Sequence, residues 1–146
     1  MIRLFNINDS QVNCDKFVRL EFYPDEIKDL PNIEKYKLRI DEGCTPDWFD
    51  QYREFIIIKL KEFISKRIIT SDQKILVGGF YVVKDCIIDK LINAQVVYLQ
   101  GQVNEMSGNA TVQRMSGNAT VNEMSENATV QRMSGNATAP RKPKIQ

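Results

Sequence analysis

The chain has 146 residues, of which 42% are hydrophobic and 27% charged, and its formal net charge is +1. The length suits one domain or two small ones, and this composition is typical of a globular protein. The near-zero net charge argues against a general nucleic-acid-binding surface. Histidine is absent, which excludes histidine-based nucleophile pairs, histidine general bases and most zinc sites.

Residues 1–73 predict an α+β head with about three strands and one long helix. Apolar side chains alternate with charged ones, as in strands, over residues 2–7, 17–23 and 36–40. The helix is predicted over residues 46–68, because Thr45 suits the N-cap and Pro46 the first helical position. Its core stripe at helical spacing comprises Phe49, Tyr52, Ile56, Leu60, Phe63 and Ile64.

Three further apolar side chains of this helix lie off the main stripe. Trp48 and Phe55 lie at its edge and are expected in the core. Ile58 falls among charged residues, where it is either an isolated exposed side chain or a contact for a partner. We expect the helix to cap the first coil of the segment that follows.

Residues 74–138 predict a β-solenoid. From Val103 a nine-residue unit recurs, and Val-Asn-Glu-Met-Ser-Gly-Asn-Ala-Thr alternates with Val-Gln-Arg-Met-Ser-Gly-Asn-Ala-Thr, which gives a second period of eighteen. Ser-Gly-Asn favours turns and Ala-Thr-Val favours strands. Upstream the pattern is worn and its spacing drops to eight and seven. Nine residues cannot enclose two facing sheets, so we expect coils of roughly 18 residues; the rival fold is an antiparallel meander with Ser-Gly-Asn hairpins.

An eighteen-residue coil stacks Glu105 over Glu123 and Arg114 over Arg132, which brings like charges together. A partner surface would offset that cost. Two copies could also set the Glu flank of one against the Arg flank of the other, so we expect a weak, salt-sensitive homodimer. The sequence leaves open whether Val112 and Met115, three residues apart, both face the core, which would need a bulge between them.

Four carboxylates surround the predicted start of the helix: Asp41, Glu42, Asp47 and Asp50. They could bind a metal or act as acid and base, although two of them already suit a helix N-terminus. Gly78-Gly79 lacks the rest of a phosphate loop and indicates a bend. Residues 139–146 are predicted to be a basic tail with Arg141, Lys142 and Lys144. The tail could contact phosphate groups, but Pro140 and these charges favour a role in protecting the last sheet edge from further strand pairing.

The Asn-Ala-Thr of each repeat matches the N-glycosylation acceptor pattern, at Asn109, Asn118, Asn127 and Asn136. The N-terminus lacks the apolar run of a signal peptide, and no stretch approaches the roughly 18 apolar residues of a membrane span. The three cysteines, Cys14, Cys44 and Cys86, are far apart, as is typical of thiols in a reducing compartment. We therefore expect a cytoplasmic protein without membrane contact, and asparagines that form turns and ladders.

The Met-Ser-Gly-Asn-Ala-Thr-Val-Gln-Arg units resemble the nonapeptide repeat arrays of small uncharacterised proteins from gut bacteria and their phages. The segment Cys44-Thr-Pro-Asp-Trp-Phe-Asp-Gln-Tyr is similar to the one that often precedes those arrays, so the resemblance covers roughly residues 44–138. It implies a phage or mobile-element source and carries no activity or site residue. Small phage proteins without catalytic residues often occlude a host protein, which by analogy suggests an inhibitor of a bacterial defence system.

We therefore expect a non-enzymatic protein-binding module, comparable to an anti-CRISPR protein, that needs no metal or cofactor. Its expected partner is a host protein, and nucleic acid is expected at most on the basic tail. The expected contact residues are Ile58, Glu105, Arg114, Glu123 and Arg132. The alternatives are a carboxylate- or metal-dependent enzyme that uses Asp41 to Asp50, and a structural repeat protein that self-associates.

Overall fold

The computed structural model describes residues 2–5, 17–40 and 45–141. The chain forms two compact units, residues 1–65 and residues 66–146. In the described ranges no helix is long and apolar enough to cross a membrane. The first unit is an α+β unit and the second is a parallel β-solenoid, so the predicted fold class is confirmed.

The first unit contains a three-stranded antiparallel sheet in the order β1 (Ile2–Phe5), β2 (Phe17–Tyr23) and β3 (Lys37–Ile40). The sheet is continuous, since Leu20 pairs with Ile2 on one side and with Ile40 on the other. Alternate side chains of β2 are buried, namely Val18, Leu20 and Phe22, as a strand with one apolar face requires. Two 3-10 helices, Ile27–Asp29 and Ile33–Lys35, connect β2 to β3.

The loop between β2 and β3 is held by one buried tyrosine and one exposed carboxylate. The ring of Tyr36 lies 5.4 Å from that of Phe22, and its hydroxyl donates to the carbonyl oxygen of Leu30 at 2.9 Å. Burial raises the pKa of Tyr36 to about 12. Asp25 forms ion pairs with Lys37 and Arg39, and the hydrogen bond from Lys37 is the main cause that lowers the pKa of Asp25.

Helix α1 spans Phe49–Ser65, shorter at both ends than the predicted 46–68. It starts after a turn in which the amide of Phe49 donates to the carbonyl oxygen of Pro46 at 2.9 Å. Its buried side chains are Phe49, Ile56, Leu60 and Ile64. The prediction that Tyr52 and Phe63 belong to the core was wrong. At 100° per residue Phe63 lies about 55° and Tyr52 about 75° from the centre of the buried stripe, and both are exposed.

The solenoid strands are β4 (Ile68–Ile69), β5 (Gln73–Val77), β6 (Phe80–Ile92), β7 (Gln95–Ser107), β8 (Thr111–Met115), β9 (Thr120–Met124) and β10 (Thr129–Met133). Every pairing among them is parallel, so the antiparallel meander is wrong. β4 lies before residue 74, the predicted start of the solenoid. The prediction missed it because a run of two isoleucines is too short to be distinguished from the end of the predicted helix.

The coils lengthen along the chain. Ile68 pairs with Val82, fourteen residues on, and Ile88 with Val103, fifteen on. Val96 pairs with Val112, sixteen on, and Val112 pairs with Val130, eighteen on. The repeats therefore form the expected eighteen-residue coils, and the shorter upstream coils follow the contracted spacing of eight and seven.

Each nine-residue unit points three apolar side chains inward, and in one unit these are Ala110, Val112 and Met115, all buried. Residues three apart on a straight strand point to opposite faces, so the burial of both Val112 and Met115 shows that the chain between them is not a regular strand.

Candidate binding surfaces

Helix α1 carries a row of exposed apolar side chains. Tyr52, Phe55 and Ile58 are 49%, 59% and 53% exposed and follow one another at intervals of three, so they are neighbours on the helix surface. Ile58 had two interpretations from the sequence, and Phe55 was expected in the core. The exposure of Phe55 corrects that expectation, since its position lies outside the arc that buries Phe49 and Ile56. We call Tyr52, Phe55 and Ile58 the α1 row.

Charged and aromatic groups border the α1 row. The ammonium of Lys59 lies 5.7 Å from the centre of the Phe55 ring and 2.8 Å from a carboxylate oxygen of Glu62. Trp48, expected in the core, is partly buried, and its ring centre lies 6.4 Å from that of Tyr52. The row is thus an apolar strip with a polar rim, which is the composition of protein–protein contacts.

The glutamate flank of the solenoid stacks as predicted, since Glu105 pairs with Glu123. The residue that stacks before them, Lys90, was not predicted from the sequence. Lys90 pairs with Glu105 on the preceding coil, and its ammonium lies 3.0 Å from a carboxylate oxygen of Glu105. Lys90 thereby offsets part of the like-charge cost. The contracted upstream spacing, eight plus seven, could have placed Lys90 beside Glu105.

A polar ladder runs beside this flank. The side-chain amide of Asn122 donates to Oδ1 of Asn104 at 3.0 Å, and the amide of Asn104 donates to a carboxylate oxygen of Asp89 at 2.9 Å. Nε2 of Gln102 also donates to Oδ1 of Asn104, at 2.6 Å. Adjacent coils are therefore joined outside the core as well as inside it.

On the opposite flank Arg114 pairs with Arg132, as predicted. Arg114 is half-buried and Arg132 is exposed. Nearby, the hydroxyl of Ser116 donates to that of Tyr98 at 2.6 Å, which joins this coil to the preceding one. The five predicted contact residues therefore lie on three surfaces: Ile58 on α1, the glutamates on one flank and the arginines on the other.

The repeated asparagines form the expected ladders at the turns. Nδ2 of Asn127 donates to Oδ1 of Asn109 at 3.2 Å, and Nδ2 of Asn136 donates to Oδ1 of Asn118 at 3.3 Å. The residue before each of these asparagines adopts positive φ, for example 64° at Gly108 and 55° at Glu126. Gly78 and Gly79 do so as well, at 62° and 70°, between β5 and β6, which confirms the predicted bend.

The described part of the carboxylate cluster consists of Asp47 and Asp50, both exposed, and Asp50 pairs with Arg53 at 3.3 Å. Asp41 and Glu42 lie outside the described residues, as do Cys14 and Cys44. In the ranges that the structure describes, no group of three or more cysteines or carboxylates could hold a metal ion.

Burial is the main cause that raises the pKa of the Cys86 thiol, with the Asp72 carboxylate next. A raised pKa makes a thiol a poor nucleophile at neutral pH. Of the basic tail, Arg141 is described and exposed, and Lys142 and Lys144 lie outside the described residues.

Comparisons with models of protein families, with curated proteins and with solved structures find no match to this chain.

Proposed function

We propose that the chain is a non-enzymatic protein-binding module that contacts its partner through the α1 row. The observation that carries the proposal is the exposure of Tyr52, Phe55 and Ile58 on one side of a single helix. Contiguous apolar side chains with a polar rim mark interaction sites more often than isolated ones do. Aromatic side chains are also the residues that contribute most binding energy in protein contacts.

The spacing of the α1 row fits one mode of recognition, in which an amphipathic helix lies in an apolar groove of its partner. Side chains at intervals of three present successive anchors along such a groove. Each of the three is about half covered already, so complete burial would contribute about 1 kcal/mol or more apiece. Lys59 and Glu62 would lie at the rim, where charges favour correct orientation over affinity.

The resemblance of the repeats to arrays in gut bacteria and their phages supports a more specific proposal. In it the protein is encoded by a phage or mobile element, acts in the cytoplasm and inhibits a bacterial defence protein by occluding its surface. Occlusion needs a rigid body and a contact strip, and it needs no catalytic group. A carboxylate- or metal-dependent enzyme would instead need the Asp41 to Asp50 cluster, whose described members are exposed and partly paired.

The test compares two double variants that each remove two exposed apolar side chains. F55S/I58S changes the α1 row, and I75S/V77S changes β5, where Ile75 and Val77 are 51% and 60% exposed. Wild type and both variants are immobilised, exposed to lysate of a gut bacterium, and the captured proteins are quantified by mass spectrometry. We expect one protein captured near stoichiometry by wild type and I75S/V77S, and reduced at least about tenfold by F55S/I58S.

Two results would refute this proposal. One is capture of no protein near stoichiometry by the wild type. The other is equal loss in the two double variants, since that would show a dependence on general apolar exposure and not on the α1 row. Circular dichroism of both variants checks that they fold.

Self-association through the flanks is a second proposal, and the stacked pairs Glu105–Glu123 and Arg114–Arg132 favour it. Two copies that set one flank against the other would exchange like-charge neighbours for opposite ones. The Lys90–Glu105 ion pair reduces the negative charge that the glutamate flank offers to a second copy. We therefore expect an association that is lost as ionic strength rises; sedimentation at low and high salt tests it, and a monomer at low salt refutes it.

A further inference from the structure

The outermost described coil of the solenoid leaves its core side chains uncovered. Met115 is 1% exposed, and the coil above it carries Met133 at the same position of the repeat, eighteen residues later. Met133 itself is 54% exposed. Val112 is fully buried and its counterpart Val130 only partly. The core of each coil is therefore completed by the coil above, and β10 has no such cover among the described residues.

The backbone of this coil also presents open hydrogen-bond acceptors. Four of its amides donate to carbonyl oxygens of the coil below, at 2.9–3.0 Å, and the accepting residues are Ala110, Met115, Gly117 and Ala119. These residues recur one coil later as Ala128, Met133, Gly135 and Ala137, and no described residue donates to their carbonyl oxygens. Exposed sheet edges are usually protected by charged side chains or by proline. Residues 129–138 contain one charged side chain, Arg132, and no proline.

The sequence indicates what fits this edge. Residues 111–120 and 129–138 are the same ten residues, Thr-Val-Gln-Arg-Met-Ser-Gly-Asn-Ala-Thr. Within the molecule, the second segment covers the edge of the first, and the two strands run parallel and in register. The upper edge of residues 129–138 repeats the backbone acceptors and the side chains that hold this contact. A third segment of the same sequence, in the same direction, is therefore its matched cover.

We propose that this edge binds an extended segment of another polypeptide that carries the nonapeptide repeat, and that the segment lies parallel to β10 and in register with it. Such strand addition combines backbone hydrogen bonds with contacts for particular side chains. The valine and methionine of the segment cover Val130 and Met133. Its amides donate to the four open carbonyl oxygens, and its asparagine extends the ladder of Asn118 and Asn136.

The geometry selects the segment by its sequence and by its direction. A valine and a methionine three residues apart share the core only on the irregular chain path that the repeat adopts. The turn that follows needs a residue that tolerates positive φ, as Gly135 does at 68°. The same ten residues in reverse order place neither correctly. The described repeats of a folded second copy are already paired in coils, so the segment comes from a chain in which the repeat is extended.

The expected binding is weak, because one strand covers less than the roughly 1,200 Å² of a stable interface. Fluorescence anisotropy of a labelled synthetic peptide, Thr-Val-Gln-Arg-Met-Ser-Gly-Asn-Ala-Thr, titrated with the full chain up to millimolar concentration, tests the proposal. We expect saturable binding of one peptide per chain, and at least about tenfold weaker binding of the reversed peptide. Met133→Lys places a charge in the apolar contact and should raise the dissociation constant at least about tenfold.

Two control variants leave the edge intact. Gln113→Lys adds the same charge one coil below, and F55S/I58S changes the α1 row, which is a separate surface; both should bind the peptide as wild type does. The proposal is overturned by the absence of binding at millimolar protein, or by equal binding of the reversed peptide. It is also overturned if Met133→Lys binds as wild type does, or if either control variant loses as much affinity as Met133→Lys.

The direction of the bound segment has its own test. Neighbouring strands lie about 4.8 Å apart, so cysteines at paired positions are within disulfide reach. Thr129→Cys protein is mixed with a peptide that carries cysteine in place of its first or its last threonine. Parallel, in-register binding predicts at least about fivefold more cross-linking with the first peptide. Wild-type protein under the same oxidant gives the background from the native cysteines. Equal cross-linking of the two peptides, or a preference for the second, overturns the proposed pairing.

Discussion

Gly108, Gly117 and Gly135 occupy the same position of three repeats and share a φ of 64°, 63° and 68°, yet a substitution to alanine would meet different surroundings. At Gly117 the nearest atom to an added Cβ is 4.0 Å away. An alanine there destabilises the folded state by about 1–2 kcal/mol, because a residue with a Cβ is strained in the left-handed region. Alanine also lowers the conformational entropy of the unfolded chain, which offsets about 0.4–1 kcal/mol of that strain. We expect Gly117→Ala to lower the free energy of unfolding by about 0.5–1 kcal/mol.

Gly108→Ala is expected to cost much more. The added Cβ would lie 2.1 Å from Oδ1 of Asn93, and that oxygen accepts the amide hydrogen of Asn109 at 2.9 Å. Asn93 must move and give up this hydrogen bond, which adds about 0.5–1.5 kcal/mol. At Gly135 the added Cβ lies 3.1 Å from the carbonyl oxygen of Gly117, so its cost falls between the other two.

Urea denaturation followed by far-ultraviolet circular dichroism gives the three free energies. The expected order of destabilisation is Gly108→Ala, then Gly135→Ala, then Gly117→Ala. In an Asn93→Ala background the clash is gone, and Gly108→Ala should cost no more than Gly117→Ala. Equal costs for Gly108→Ala and Gly117→Ala in the wild-type background, within about 0.5 kcal/mol, refute the reasoning.

Two further predictions concern the cores of the two units. Met115→Ala leaves a cavity under a covered coil and should cost about 2–5 kcal/mol of unfolding free energy, whereas Met133→Ala should cost less than about 1 kcal/mol; equal costs contradict the exposure difference. The pKa of Tyr36 is raised to about 12 from an unfolded value near 10, so its contribution to stability is complete below pH 10 and is lost as the pH rises from 10 to 12. Tyr36→Phe should remove this loss of stability between pH 10 and 12. Unfolding of the first unit is measured by the fluorescence of Trp48, and a pH dependence that is the same in Tyr36→Phe and wild type refutes the prediction.

The solenoid could be predicted because the length of its coils equals the period of the sequence repeat. Residues that recur every eighteen positions are the residues that stack, so the pairs of Glu105 with Glu123 and of Arg114 with Arg132 follow from counting. Where the repeat is worn, the counting is harder. Lys90 beside Glu105 depends on a fifteen-residue coil, whose mark in the sequence is the worn spacing of eight plus seven.

The helix shows where pattern alone is insufficient. Apolar residues at helical spacing define a direction, but they do not define how wide the buried arc is. Six residues fit the predicted stripe of α1, and four of them are buried. Phe55 is as apolar as its buried neighbours, and only the positions of the surrounding chain decide that it is exposed. The α1 row was therefore visible in the sequence as a single residue, Ile58.

Glu126 is the one departure from glycine at this turn position, and its backbone still adopts a φ of 55°. Its side chain reaches back one coil, where a carboxylate oxygen accepts the amide hydrogen of Gly108 at 2.5 Å. The hydrogen bond to a charged acceptor offsets the strain of a non-glycine residue in the left-handed region. The glutamate that replaces glycine in this repeat thus has a structural role. Its two contributions, the backbone strain and the hydrogen bond to Gly108, can be measured separately.

Glu126→Ala removes the hydrogen bond and keeps the strain, so it should lower the free energy of unfolding by about 0.5–1.5 kcal/mol. Glu126→Gly removes both, and it should be more stable than Glu126→Ala by about 0.5–1 kcal/mol. That difference is the Gly117→Ala cost with its sign reversed, since both compare alanine with glycine at an open left-handed position. Urea denaturation of the three proteins measures it. If Glu126→Ala and Glu126→Gly have the same free energy of unfolding, the backbone at position 126 is not strained. The hydrogen bond from the Gly108 amide then has no strain to offset, and the explanation for glutamate at this position is refuted.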